Sequence, residues 1–350
     1  MENARREFLK RSAAAALGAL LPAGPGEDPL ADARAARAAS PVPTEPLRLV
    51  SFAPTPGDNI RVGAVTKEGW IVDLGMTAKR LKMKLSFDPA EMVSLIYAHE
   101  AGLAQVRRLV AKAPAGGARV AEVQLFAPIP NPARNVYAVG WNYVEHFEEG
   151  KTLRDPNQTL PEHPVFFTKG THTVNGPFDP IPYDPAVSTF IDWEGELAVI
   201  LGKRGKNVAE ETAMEHVFGF CVINDTTARD IQQKKHGGQW FKGKSLDGHG
   251  PMGPWIVTAG GFDHTDLHLV TRINGVVKQD ARTSQMYFKV PRIVSELSLG
   301  LTIEPGDIIA TGTPPGIGHA RKPPEYLKPG DLMETEISGI GTLRNPIRAV

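Results

Sequence analysis

Glu194 and Glu196 stand two residues apart in the stretch Phe190-Ile191-Asp192-Trp193-Glu194-Gly195-Glu196-Leu197-Ala198-Val199-Ile200-Leu201. The right half of that stretch turns wholly apolar, as a strand entering a core does. Residues two apart on a strand point to one face, which sets two carboxylates side by side at the head of a buried strand. Like charges that close are unfavourable unless one is protonated or a cation lies between them. A hard divalent ion such as magnesium, manganese or calcium suits oxygen-only ligands. The plain alternative is an exposed edge with both charges in water. Asp225 closes a second apolar run, Val217 to Asn224, just where a helix is expected to start. Capping that helix is the usual reason for an acid there, and a third oxygen ligand is the other reading.

A second pair able to do chemistry is His146 and Glu149. Three residues apart, they share a face on a helical turn. A carboxylate beside an imidazole orients the ring and favours its protonated form, the arrangement of a general base. A surface helix pair is the plain alternative. Lys169, at the end of Pro164–Gly170, stands where a site could use a cation, with a solvated strand end as the plain alternative, and Lys244 is a further cation close to the site. Gly238-Gln239-Trp240-Phe241-Lys242-Gly243-Lys244-Ser245 matches the P-loop pattern letter for letter. A P-loop needs an apolar strand before it and a helix after it. A polar helix precedes this one, and Gly248-His249-Gly250-Pro251-Met252-Gly253-Pro254 follows, so nucleotide binding is rejected. His236 and His249 fall in glycine-rich loops with no evident partner.

The elements expected to carry these groups are mostly short strands between Gly/Pro turns. Residues 47–52, 61–66, 69–73, 134–142, 164–170, 217–224, 254–257, 267–273, 276–279, 308–314 and 332–337 read as strands, with a last one closing the chain. Asn274-Gly275 marks a hairpin. Helices are expected at Pro89–Leu109, divided at Gly102, near Glu211–Val217, and at Val290–Leu297. The fold class is α+β and β-rich, a mixed sandwich or roll with few helices. Residues 46–127 read as a small N-terminal α/β module, and 128–350 as the catalytic domain, with Pro128, Pro130 and Pro132 at the boundary.

Thirty-nine basic and thirty-nine acidic residues give zero formal net charge, with none of the basic excess of a nucleic-acid binder. No apolar run suits a membrane span in a mature chain. Cys221 is the single cysteine, so no intrachain disulfide forms. Residues 1–45 read as a targeting segment and linker. Arg5-Arg6-Glu7-Phe8-Leu9-Lys10 precedes a short apolar run, as in a twin-arginine signal. That signal implies the twin-arginine export machinery as a partner and a periplasmic or otherwise exported location, or a cytoplasmic one if it is unused.

Taken together, the motifs resemble the fumarylacetoacetate hydrolase superfamily. The matching stretches are Val139-Gly140-Trp141-Asn142-Tyr143 with His146 and Glu149; Asp192-Trp193-Glu194-Gly195-Glu196-Leu197-Ala198; Asn224-Asp225 with Ala228-Arg229-Asp230 and Gln232; Gly243-Lys244-Ser245; Gly253-Pro254; Asn274-Gly275; Pro305-Gly306-Asp307; and Thr311-Gly312-Thr313-Pro314. The resemblance implies a β-rich roll, a homodimer, and Glu194, Glu196 and Asp225 as ligands of magnesium or manganese, with calcium as a further option. It implies Lys244 beside the ion, His146–Glu149 as the acid/base dyad, Gln232 supporting water or substrate, and Thr313 in the substrate-binding loop. The substrate implied is a small 2-oxo acid. The preferred expectation is hydrolysis of a carbon–carbon bond in an acylpyruvate or β-diketo acid. The alternatives are a 2-oxo acid decarboxylase, hydratase or enol–keto isomerase acting on oxaloacetate or a related compound, and an exported binding protein without turnover.

Overall fold

The computed structural model describes residues 45–114, 116–151 and 157–350. The export signal expected in the first 44 residues lies outside the described residues. No helix among the described residues is long and apolar enough to cross a membrane.

Two fully buried strands, Gly195–Leu201 and Val217–Asn224, pair antiparallel inside a twelve-stranded mixed sheet. Burial on both faces is why neither keeps the alternation of a half-exposed strand. Beyond Val217–Asn224 the sheet continues through Gly250–Thr258 to Arg48–Ala53. On the other side Ile308–Ala310 pairs with Gly195–Leu201, Val136–Gly140 runs parallel to it, and Val165–Lys169 closes that edge. The strands that carry the acids, Lys169 and the approach to His146 are therefore near neighbours in one sheet.

A second sheet of five strands contains Val276–Arg282, His268–Ile273, Leu332–Ile337, Gly341–Ala349 and Ile181–Tyr183. Asn274 and Gly275 both have positive φ and turn its first hairpin, as the Asn-Gly signal predicts. This sheet packs against the start of Gly195–Leu201, where Gly195 N–H donates to Gln279 Oε1 at 2.9 Å. A Cβ at position 195 would lie 2.3 Å from Thr271 Oγ1, so only glycine permits the approach between the two glutamates.

Strands from the 46–127 segment extend the large sheet at one end. Its helical residues Leu95, Ile96 and Val106 join Ala198, Ile200, Ile223 and Met252 in one buried apolar cluster. Each such side chain fully removed from water is worth about 1.5–3 kcal/mol.

Several local expectations are corrected. The helix Met92–Lys112 is broken at His99, whose φ is 43°, and not at Gly102. Gly102 instead lets Leu95 pack close. The strand expected from Pro254 starts at Gly250. His249 is buried, with Nε2 2.9 Å from the Pro182 carbonyl, instead of lying in a free loop. No helix follows Lys244, in keeping with the rejected P-loop.

Candidate active site

Glu196 is the second residue of Gly195–Leu201, and Glu194 lies just before that strand instead of in it. Antiparallel register sets Gly195 opposite Asn224, so the residues just beyond the paired ends, Glu194 and Asp225, face each other. Their backbones are tied by Asp225 N–H donating to the Glu194 carbonyl at 2.8 Å. Asp225 begins no regular helix; extended Thr227–Ala228 comes first, so a capping role does not explain it. Oxygens of Glu194, Glu196 and Asp225 all lie within 4.8 Å of one another, and all three residues are buried.

Three cations surround this cluster. Lys244 Nζ bridges Glu194 Oε2 and Asp225 Oδ2, at 2.6 Å from each. Lys169 Nζ lies 2.8 Å from Asp225 Oδ1 and donates to the Lys244 carbonyl at 2.5 Å. The Arg229 guanidinium reaches Glu194 Oε1 at 2.6 Å and Asp192 Oδ2 at 2.8 Å. Burial alone pushes Glu194 up, but Lys244 and Arg229 outweigh it and hold this carboxyl at about 2. Lys244 is raised, since Asp225 and Glu194 overcome its burial. Burial wins at Lys169, which is lowered.

Glu196 differs from its neighbours. Gly312 N–H donates to its Oε2 at 2.7 Å, and it forms no ion pair within 4.0 Å among the described residues. Burial, then the charges of Asp225 and Glu194, push its carboxyl well above the usual range. A buried carboxylate so placed is short of one positive charge. Three convergent carboxylate oxygens with that deficit fit a hard divalent cation.

The dyad forms as its spacing predicts. Val144–Glu149 is a short helix, and His146 Nδ1 lies 2.7 Å from Glu149 Oε1. Glu149 can only accept, so Nδ1 carries the hydrogen and Nε2 remains as the basic nitrogen. The other Glu149 oxygen accepts from Gly316 N–H at 2.7 Å. Gly316 has φ 105°, and a Cβ there would fall 2.0 Å from the Lys278 carbonyl. Gly316→Ala is expected to lower kcat by up to about a hundredfold through a misplaced dyad, with metal affinity intact. Parallel titration calorimetry and steady-state kinetics check this.

A cavity of about 280 Å³ is lined jointly by His146, Glu194, Glu196, Arg229, Gln232, Lys244 and Thr313. Six of the eight site residues implied by the resemblance thus share it. Glu149 stands behind His146, and Asp225 stands behind Lys244. Gln232 Oε1 accepts from Arg229 at 3.1 Å, which leaves its amide N–H groups for a guest. The Thr313 hydroxyl is engaged inward, donating to the Gly195 carbonyl at 3.1 Å and accepting from Gln279 at 2.7 Å.

Part of the lining is aromatic. Trp240 packs edge-on against Trp141 and Phe167, with centroids 5.1 and 5.2 Å away. Trp141 has φ 56°, a strained conformation of the kind that clusters at functional sites.

Sequence reasoning left three participants without an assigned role. Arg229 was visible only as part of a motif, and Lys169 read equally well as a solvated strand end. Asp192 accepts from Arg229 and from the backbone of Gly318 and His319, tying the acid cluster to the loop that meets Glu149. Each role depends on partners distant in sequence.

Residues 135–348 match the family described as fumarylacetoacetate (FAA) hydrolase C-terminal. The chain is 40% identical over 294 residues to the oxaloacetate tautomerase YisK of Bacillus subtilis, covering 82% of this chain and 95% of that protein. It is 37% identical over 307 residues to the mitochondrial oxaloacetate tautomerase fahd2 of Xenopus laevis, covering 87% and 91%. A solved structure of maleylpyruvate hydrolase from Sphingobium sp. SYK-6, in complex with manganese(II) ion and pyruvate, is similar with a TM-score of 0.66. It is 29% identical, and the match covers 86% of this chain and 99% of that one. The chain belongs to the fumarylacetoacetate hydrolase family and is an enzyme of it.

Proposed function

We propose that this enzyme interconverts the keto and enol forms of oxaloacetate or a closely similar 2-oxo acid, using a divalent ion held by Glu194, Glu196 and Asp225. The observation that carries this reading is one cavity in which a Glu-backed imidazole, a buried lysine and an acid cluster short of a cation converge. The relatives named oxaloacetate tautomerases favour isomerisation over the carbon–carbon hydrolysis expected from the resemblance alone. The manganese and pyruvate of the maleylpyruvate hydrolase structure support magnesium or manganese here, and a 2-oxo acid as the ligand.

When bound, the ion would supply Lewis-acid polarisation of the 2-oxo group. His146 Nε2 takes a proton from the methylene carbon between the two carbonyl groups of the keto acid. The C–H electron pair becomes the enol double bond, and the carbonyl π pair moves to oxygen. Lys244 stabilises the charge developing on that oxygen. Glu149 stabilises the imidazolium that forms, and the same proton delivered to oxygen completes the enol. The steps run in reverse for ketonisation. The aromatic wall keeps bulk water from the enolate. Arg229 neutralises Glu194 and so leaves the cluster able to accept an anionic substrate.

Hydrolysis of an acylpyruvate is the second reading, favoured by the named activity of the maleylpyruvate hydrolase. It uses the same residues, with His146 activating water instead of removing a carbon-bound proton. The intact dyad argues against a binding protein without turnover.

The experiment is enol decay of oxaloacetate followed by ultraviolet absorbance with magnesium or manganese, and product analysis by NMR. Accelerated keto–enol equilibration with oxaloacetate conserved is expected. Formation of oxalate and acetate, or of pyruvate and carbon dioxide, as the main enzymatic outcome would assign the chain to hydrolysis or decarboxylation instead.

A further inference from the structure

We propose that His319, on the Gly316–His319 loop beside the cavity, reads the distal carboxylate of the substrate and so selects dicarboxylic over monocarboxylic 2-oxo acids. This deepens the 2-oxo acid reading above and rests on it.

Four described side chains lining the cavity can carry positive charge: His146, Arg229, Lys244 and His319. The first three are spent. His146 is paired with Glu149, Arg229 with Asp192 and Glu194, and Lys244 with Glu194 and Asp225. His319 is paired with no carboxylate. Its Nε2 lies 3.0 Å from Gln233 Oε1, and its Nδ1 lies 2.6 Å from the Tyr326 hydroxyl. With the Gln233 oxygen facing the ring, Nε2 carries the hydrogen and Tyr326 donates to Nδ1.

That relay ends on a replaceable acceptor. Gln233 is exposed, whereas His319 is partly buried and its backbone N–H is anchored to Asp192 at 3.1 Å. An arriving carboxylate can displace the neutral amide oxygen from Nε2–H and make a shorter, charge-assisted bond. Tyr326 holds the ring in place throughout. The rest of the wall offers an anion no further charge: Phe167 and Ile317 are apolar, and Trp141 and Trp240 each bring only a neutral indole N–H. A 2-oxo acid with its carboxylate and carbonyl at the acid cluster has its far end directed away from that cluster. A far end that is itself a carboxylate meets the Nε2–H that Gln233 gives up and the two glutamine amides.

The test compares the full-length wild type with His319→Phe and His319→Gln, each loaded with manganese. Oxalate is the control probe, because its two adjacent carboxylates fill only the chelating end. Calorimetry gives Kd for oxalate and for the monocarboxylate 2-oxobutanoate, and kinetics gives KM and kcat for oxaloacetate. His319→Phe is expected to raise KM for oxaloacetate about tenfold or more, the loss of one charge-assisted hydrogen bond. His319→Gln, which keeps a donor, is expected to lose less. The Kd values of oxalate and 2-oxobutanoate should hold in both variants, which also shows that the fold and the cluster are intact. An unchanged KM for oxaloacetate in His319→Phe, or an equal loss of oxalate affinity, overturns the assignment. Failure of wild type to bind either oxalate or oxaloacetate overturns the 2-oxo acid reading, and this assignment with it. Oxalate binding with no effect at His319 overturns the assignment alone.

Discussion

Glu196→Gln is expected to abolish ion-dependent turnover and to weaken manganese binding by more than about a hundredfold, beyond the 10–100-fold typical of losing an outer partner of a ligand. Glu196 is the sharpest choice among the three acids. Glu194 and Asp225 are held by Lys244, Arg229 and Lys169, so removing either also leaves a buried cation unpaired. Glu196 has no such partner within 4.0 Å among the described residues, and Gln keeps an oxygen that can accept from Gly312 N–H. The ion-free variant should therefore be at least as stable as the ion-free wild type, because one buried like charge is gone. The ion should raise Tm in wild type and leave it unmoved in the variant, since a ligand at a hundred times its Kd adds about 2.7 kcal/mol. Thermal scans with and without manganese measure both effects. A variant that still gains the full Tm shift removes Glu196 from the ligand set.

His146→Asn should act the opposite way. It removes the base and leaves the acid cluster whole, so kcat should fall by about 10²–10⁴ while manganese and oxalate bind as before. Glu149→Gln is expected to lose less, because the amide oxygen still accepts from His146 or from Gly316, but not with the charge that stabilises imidazolium. Rapid-mixing kinetics on the oxaloacetate enol, with calorimetry on the same preparations, check the split. A His146→Asn protein with wild-type kcat would place the proton transfer elsewhere in the cavity.

The sequence made parts of this site legible because its chemistry sits on strongly patterned segments. The apolar runs 197–201 and 217–223 mark buried strands, and acids at their ends are conspicuous against them. The three-residue spacing of His146 and Glu149 is local geometry that any helical turn enforces. What stayed hidden depends on contacts across the fold. The facing of Glu194 and Asp225 follows from the Gly195–Asn224 register, which no periodicity reveals. The pairing of Arg48–Ala53 with Gly250–Thr258 joins segments some two hundred positions apart. Lys169 and Asp192 look like ordinary strand-end charges until their partners are in place. The break at His99 went unseen because Gly102 was the more obvious helix breaker, and packing against Leu95 decided otherwise. His319 carries no motif signal at all; its two ring partners and its place beside the cavity exist only in the folded chain.

The central claim is that three acids from two antiparallel strand ends grip one hard cation, which in turn holds a 2-oxo acid within reach of His146. Crystals grown with manganese and soaked in pyruvate test it most directly, through an anomalous difference map collected at the manganese edge. The account predicts a single strong peak bonded to Glu194, Glu196 and Asp225, with pyruvate beside it and His146 facing the ligand. A peak elsewhere, or a cluster in which Lys244 alone still bridges Glu194 and Asp225 at saturating manganese, would contradict it.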